Sequence, residues 1–595
     1  MNTIITNTII PKIDFDEINK EFSIIKVTSR ENYIKSGSYI LDKPLVEKLV
    51  CSIKFEDSKN FYLLVKKNSL GYSNIISSLK NSEEGKCLTF EEISPDFIPK
   101  YIFIQLLLNN LSNYESELLR FNNLTGHLYC FNNQWIKYKK GENVIWQIPT
   151  VEISIDKSFK LLLNVKTFTS IKLKDKIDFS KSDFKKYPHY SISGNNTIKR
   201  ILESDSNDYF ILRQIRNKKQ EIPFLDISSL DKFNQSKMGI LENIISLFNN
   251  KYSGMAEITF DKIEVNNSVE YDSIQKNENK SVINKLLNER KIKIIDTIDN
   301  DSSKNFCKEV IRIFDQKYNV KIKEGKRASS NYLNIKVIHN KEYYDGINDP
   351  YSHETNNTAI QHITFEDFLS NAEYAVGTII NELMIKKDLI ENKISLYDWS
   401  KLNYTDDIIF ISKEKIKDTD RYFAMTIHPD GTFTISEKIL NLFEINEFNI
   451  YLNIFESNKN VKGVIKNSKG YINIIENTNM FTIPETSKIK NELENGNNKL
   501  RGKEAREKFI YSIIDIKSFE KSNDLYYFVG TIGNGMRQKI ETSSVIRRIV
   551  SYNNSPIFFN ELLQLMNVKF VRNGQLTVKP FPFKYIDEYV RNILK

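Results

Sequence analysis

Between residues 332 and 399 the hydrophobic period changes from strand-like to helical within one short span, and such a change calls for a sheet with a helix laid on it. Leu333, Ile335, Val337 and Ile338 mark an apolar strand that breaks at His339, Asn340 and Lys341. A polar loop runs from Glu342 to Asn357, and residues 358–364 lead into a helix. There Phe365, Phe368, Leu369, Ala372, Val376, Ile379, Ile380 and Leu383 recur every three or four residues, so one face must be buried. Thr364 is the expected N-cap, with Asp367 three residues on where a capping box carries Glu or Gln. The helix ends at Met384, Ile385, Lys386 and Lys387, and its ammonium groups are expected to reach back toward the mouth between loop and helix.

Upstream, residues 291–296 read as a strand, 302–318 as a helix with Phe306, Val310, Ile313 and Phe314 on one face, and 320–323 as a second strand. That rhythm implies a Rossmann-like α/β unit, with ligands at the carboxyl ends of its strands, where the loop 339–344 lies. Neither a GxGxxG nor a Walker pattern is present, so the sequence offers no nucleotide-cofactor motif.

The order of strand, polar loop, glutamine-containing segment, long helix and terminal lysines resembles the MID domain of Argonaute/PIWI proteins at its junction with PIWI. The resemblance implies a pocket for the 5′-phosphate of a guide strand, with Gln361 and Lys386 as its firmest matches and Lys341, Tyr343 and Tyr344 from the loop. A phosphate monoester needs several charge-assisted donors converging on one point, and an aromatic ring can stack on the first base. It also leaves room for Mg²⁺ at the guide phosphate.

At 595 residues the chain is long enough for about three to five domains. A 40% apolar and 12% aromatic composition argues for well-filled cores and against disorder. No apolar run approaches the ~18 residues that span a bilayer, and the first residues lack a basic, signal-like segment, so a cytoplasmic protein without a membrane partner is expected. Cys51, Cys87, Cys130 and Cys307 are widely spaced and read as buried thiols. Basic residues exceed acidic ones by 85 − 76 = 9, which permits nucleic-acid binding without requiring it.

The expected organisation is an α+β N-terminal domain over 1–147, a linker hairpin with a reduced or absent PAZ-like region over 148–280, a MID-like domain over 281–399 and a PIWI-like domain over 400–595. The hairpin is clear: residues 151–155 and 161–168 alternate around a turn at Asp156, Lys157 and Ser158. Basic and aromatic residues mix at 185–190, as suits a single-stranded groove.

After Trp399 come a strand at 408–412, hairpins around 428–431 and 467–470, further strands, late prolines and a last helix, an order that resembles the RNase H fold of PIWI domains. Two-metal cleavage needs two divalent metals about 4 Å apart, held by carboxylates that project from neighbouring strands. Asp406 and Asp407 precede the first strand, Asp430 lies in a turn, and only Asp515 falls within a strand, so no catalytic residue or catalytic metal is expected. Arg501, Arg506, Arg537, Arg547 and Arg548 are expected to line a phosphate-binding channel. The resemblance is to catalytically inactive prokaryotic Argonaute-like proteins of the DdmE type, or more loosely the PIWI-RE group. It implies a short 5′-phosphorylated DNA or RNA guide, target DNA of invading plasmids or phages, and a separate helicase or nuclease effector. An active guided endonuclease and a non-enzymatic viral or replication scaffold are the alternatives.

Overall fold

The computed structural model of the chain describes residues 3–30, 49–57, 59–67, 72–81, 87–114, 119–122, 126–132, 136–140, 143–170, 189–192, 198–201, 210–213, 222–269, 283–344, 357–402, 404–416, 418–437, 445–496, 509, 516–530, 539–566 and 578–593. Helices and strands are interspersed along the whole chain, in a mixed α/β protein built on several sheets. No described helix is long and apolar enough to cross a membrane.

The N-terminal half is organised around α1 (Lys100–Asn110), whose residues 102–110 are all buried. A helix buried on every side needs neighbours on every side and must pair its polar groups inside. Asn109 accordingly donates to the Ile53 carbonyl (2.8 Å), and Gln105 accepts from the Ile155 amide (2.7 Å), one bond to each of two flanking sheets. The second sheet contains the expected hairpin, β2 (Asn143–Ile155) and β3 (Leu161–Ser170). Asp156 closes its turn by accepting from the amides of Ser158 and Lys160. β2 also pairs with residues 128–132, so position 147 falls inside one continuous strand. An amphipathic helix, α2 (Lys237–Lys251), and β4 (Ala256–Glu264) follow. β4 pairs with β1 (Thr3–Ile13), which also pairs at Ile5 and Thr6 with Ile483 and Thr482, tying this first strand to the C-terminal sheet.

Next comes the α/β unit. β5 (Ile292–Asp296), α3 (Asp301–Tyr318), β6 (Ile322–Gly325), β7 (Leu333–Ile338), β8 (Ile360–Thr364) and α4 (Ala372–Glu391) form it, with the strands parallel in the order β6-β5-β7-β8. Asn300 starts α3 through a reciprocal box with Ser303, and Asn319 ends it in the left-handed conformation at φ 52°. The start of α4 differs from expectation. Thr364 pairs with Ile338 in the ladder, and the Phe365 amide bonds the Ile338 carbonyl, so the backbone expected to cap a helix is still in the sheet. A turn and one 3₁₀ segment intervene, and α4 begins at Ala372.

The C-terminal third supplies β9 (Ile408–Ile416), β10 (Thr419–Ile427), β11 (Phe433–Ser436), α5 (Ile445–Ser457), β12 (Val461–Asn467), β13 (Ile472–Ile483), β14 (Ile516–Lys521), β15 (Asp524–Val529), β16 (Val545–Ser551) and α6 (Pro582–Ile593). Its strands lie in one sheet in the order β14-β15-β16-β13-β12-β9-β10-β11. Every neighbouring pair along it is antiparallel, including β9 with β12, where Ile408 faces Asn467. A crossover helix between parallel strands is the mark of an α/β sheet, yet β12, which follows α5, runs against β9. The expected RNase H-like arrangement therefore reduces, in the described residues, to an antiparallel sheet carrying helices.

One apolar core runs from Leu287 to Ile586 and joins the α/β unit to the C-terminal sheet. Gly463 on β12 lets α6 approach: a Cβ there would lie 2.5 Å from the Phe583 ring. Cys130 and Cys307 are buried as expected, but Cys51 is half-buried and Cys87 exposed, a correction to the reading of all four as buried thiols.

Candidate nucleic-acid interface

α4 runs on past its expected end at Lys387 to Glu391 and returns antiparallel to β8, which brings Lys386 to the start of that strand. Lys386 Nζ donates there to the Ile360 carbonyl (2.6 Å) and to Gln361 Oε1 (2.8 Å). Two of the expected site residues, 25 positions apart, thus meet in a direct hydrogen bond. Gln361 is half-buried, and with Oε1 accepting from the lysine its NH₂ group carries the two donors of the amide. Both of these acceptors are neutral groups that orient the ammonium. Beside it, burial pushes the Glu382 carboxyl up and Glu588 adds to the shift, while Lys386, Lys584 and Arg591 oppose it. Lys387 donates to the Ser330 carbonyl (3.0 Å) and pairs with Glu391 at 3.3 Å.

The loop residues lie elsewhere, which corrects the expectation of one convergent pocket. Gln361 stands opposite Ile335, whereas Lys341, Tyr343 and Tyr344 follow the far end of β7. At ~3.3 Å per residue the four positions from Ile335 to His339 alone span ~13 Å. There the His339 ring stacks on Tyr343 with centroids 3.8 Å apart, and the His339 amide donates to the Tyr344 hydroxyl (3.2 Å). Glu366 binds His339 Nδ1 (2.6 Å) and the Asn340 amide (2.8 Å). Burial works against its ionisation, but those hydrogen bonds outweigh it and hold the carboxyl below the usual range. Lys341 and Tyr343 are exposed.

The sheet order reverses direction between β5 and β7, the position at which open α/β sheets usually receive ligands. Here that crevice is acidic. Asp296 accepts from the amides of Ile298 and Asp299 and from Ser303 Oγ (2.6 Å), so a carboxylate already occupies the donors at the start of α3. A phosphate fits the Lys386 end of the unit better than the switch point.

Of the expected channel arginines, Arg501, Arg506 and Arg537 lie outside the described residues, as does Asp515. Arg547 and Arg548 are neighbours on β16 and point to opposite faces. Arg548 binds Asp524 through Nε (2.7 Å) and Nη2 (2.5 Å) and lies 3.6 Å from Glu476, so two carboxylates already match its charge. That removes it from a phosphate-lining role. Arg547 is half-buried, and burial pulls its guanidinium down. Asp406 accepts from Ser468 and Asp407 pairs with His428 at 2.8 Å, both contacts between different segments, whereas Asp430 accepts from Thr432 within its own turn. Among the described residues no three His, Cys, Asp or Glu side chains are grouped to hold a metal, so no protein ligand set for Mg²⁺ is evident there.

A contact that the sequence did not announce lies two residues beyond Lys386. Asp388 is fully buried and accepts from Ser395 N (3.0 Å), Ser395 Oγ (2.5 Å), Arg290 Nη1 (3.1 Å) and the Tyr585 hydroxyl (2.7 Å). It pins α4 to the residues before β5 and to α6. Burial pushes its carboxyl upward, and the donors pull against that. No spacing motif could have revealed it, because its partners are spread over 290–585. No protein-family model matches the chain, and no curated protein sequence matches it.

Proposed function

We propose that this protein binds a single strand of nucleic acid by its 5′-phosphorylated end, as a guide, and recognises target DNA from invading plasmids or phages by base pairing. A separate helicase or nuclease would then act on the marked target. One observation supports the reading: Lys386 donates to both the Ile360 carbonyl and Gln361 Oε1 at the edge of a parallel α/β unit, which brings an ammonium and a side-chain amide together. Such a cluster suits a phosphate monoester, which takes charge-assisted bonds from several donors at once. The residues gripping the end are Gln361 and Lys386, with Lys387 adjacent, and the aromatic loop 339–344 is not part of that grip.

A second reading, a nucleic-acid-independent scaffold, draws on the antiparallel pairing of β9 with β12 and on the neutralised Arg548. One experiment separates them. Binding of a 5′-phosphorylated and a 5′-hydroxyl oligonucleotide is compared for the wild type and Lys386→Ala. The guide reading expects a preference for the phosphorylated strand that falls roughly tenfold or more in the variant, as for a lost charge-assisted contact of about 1.5–3 kcal/mol. Equal affinity for both strands in the wild type refutes it.

A further inference from the structure

The C-terminal sheet carries a polar row where an apolar face would be expected. Arg547 on β16 and Asn477 on β13 are direct cross-strand partners. On the same face Ile549 and Ile475 belong to the main core, so Arg547 stands at the margin of that core. Its Nε and the Asn477 Oδ1 are both buried and without a hydrogen-bond partner among the described residues. Buried polar atoms left without a partner are costly, and two such atoms on paired residues mark a place that a polar group could fill.

Above this row lies Lys579. Its Nζ bonds the Lys462 carbonyl (3.4 Å) and sits 4.8 Å from the centre of the Phe583 ring. Arg547 Nη1 and the Tyr527 hydroxyl both donate to the Val578 carbonyl, at 3.3 and 3.1 Å, which fixes the segment carrying Lys579 over the sheet. The charged groups acting on Lys579 are Asp587, Glu414, Arg547 and Lys462, so with Lys579 itself three cations face two carboxylates. Burial pulls both Lys579 and Arg547 down, and the Arg547 charge lowers Lys579 further. An excess of positive charge in a partly desolvated niche is relieved most directly by an anion.

We infer that Arg547, Lys579 and Asn477 form a second phosphate-binding site, separate from Gln361 and Lys386. The Arg547 guanidinium supplies the directional donor and Lys579 a point charge, the usual division of labour between the two side chains. Asn477 orients the group: its amide offers Oδ1 to a hydroxyl or, turned over, its NH₂ to an oxyanion. The phosphate comes either from the backbone of a strand or from a free phosphate or nucleotide. The site stands independently of the 5′-end reading.

The test uses the full chain with Lys579→Met, Arg547→Gln and, as a charge-keeping control, Arg547→Lys. In the first arm the melting temperature is followed with inorganic phosphate against chloride at equal ionic strength. In the second, a 5′-hydroxyl oligonucleotide, which cannot use the 5′-end pocket, is titrated at several salt concentrations. Phosphate stabilisation of the wild type that is lost in Lys579→Met identifies a free-phosphate source. Weaker strand binding, roughly tenfold, with the salt slope reduced by about one in Lys579→Met, identifies a backbone source. The preference for a 5′-phosphorylated end should be unchanged in both variants, whereas Lys386→Ala alters that preference alone. A wild type whose melting temperature responds equally to phosphate and chloride, with a 5′-hydroxyl strand bound equally by wild type and both neutralised variants, overturns the site. That result leaves the 5′-end reading intact, and loss of 5′ preference leaves this site intact.

Discussion

Tyr585→Phe tests how the α/β unit is held to the C-terminal helix. The ring is fully buried and stays in place, so no cavity opens, and the only atom removed is the hydroxyl that donates to Asp388 Oδ2 at 2.7 Å. Asp388 keeps three donors, two from Ser395 and one from Arg290, but its side chain is 0% exposed, so water cannot replace the fourth. A hydrogen bond to a charged group contributes about 1.5–3 kcal/mol, and here the whole of that falls on the packing of α4 against α6. Local opening of α6 should become roughly 10- to 150-fold more frequent. Native-state hydrogen exchange reads this directly at the amides of residues 585–593, with α3 as an internal reference. In a double-mutant cycle with Asp388→Asn, the coupling should account for most of the loss. Unchanged protection in α6, or a coupling under about 0.5 kcal/mol, would refute the assignment of Asp388 as the joint.

Two further outcomes follow from the packing and the electrostatics. Gly463→Ala pushes a methyl against Phe583 and should cost about 1–3 kcal/mol, seen as a lower denaturation midpoint; Phe583→Leu in the same chain should recover part of it. Glu366 has a carboxyl held low in the folded state, so it stabilises the 339–344 turn fully above its unfolded value of 4.5 and loses that contribution as pH falls through the lower folded one. Glu366→Gln should therefore remove the acid-induced loss of amide protection at Asn340 that the wild type shows on going from about pH 6 to about pH 3, and a variant with the same acid response would contradict it.

What the sequence made legible was local. The turn at His428 to Gly431, with Gly431 at φ 81°, is a signal written in adjacent residues and stands where expected, and the helix expected from 302 begins at Asp301 behind a cap of Asn300 with Ser303. The pairing of Gln361 with Lys386 was expected only through the resemblance; in the fold it arises because a helix that returns antiparallel to its strand brings its late residues to the start of that strand. Thr364 misled because a good capping residue also serves well in a strand, and the ladder to Ile338 claimed its backbone. The direction of β12 was not legible at all. Helix and strand periods say nothing of which way a chain turns after α5, and the antiparallel ladder of Ile408 with Asn467 is settled by packing across the sheet. Asp388 escaped for the same reason, since a buried carboxylate is distinguished from a surface one only by its distant donors.

The position of Asp388 bears on function through the helix it anchors. Lys386 is two residues away on α4, and its ammonium can meet a phosphate only while the last turns of that helix keep their place over β8. The lysine already donates to Ile360 and Gln361, so little side-chain entropy remains to be lost when an anion arrives. That economy depends on α4 being held from behind, where Arg290 and Tyr585 grip Asp388 and the core from Leu287 to Ile586 is continuous. A loosened joint should therefore weaken binding of a phosphorylated strand even though no residue touching the strand has changed. In Tyr585→Phe the affinity for a 5′-phosphorylated oligonucleotide should fall while that for a 5′-hydroxyl one holds. Equal affinities in variant and wild type would mean that the pocket is organised by β8 and α4 alone.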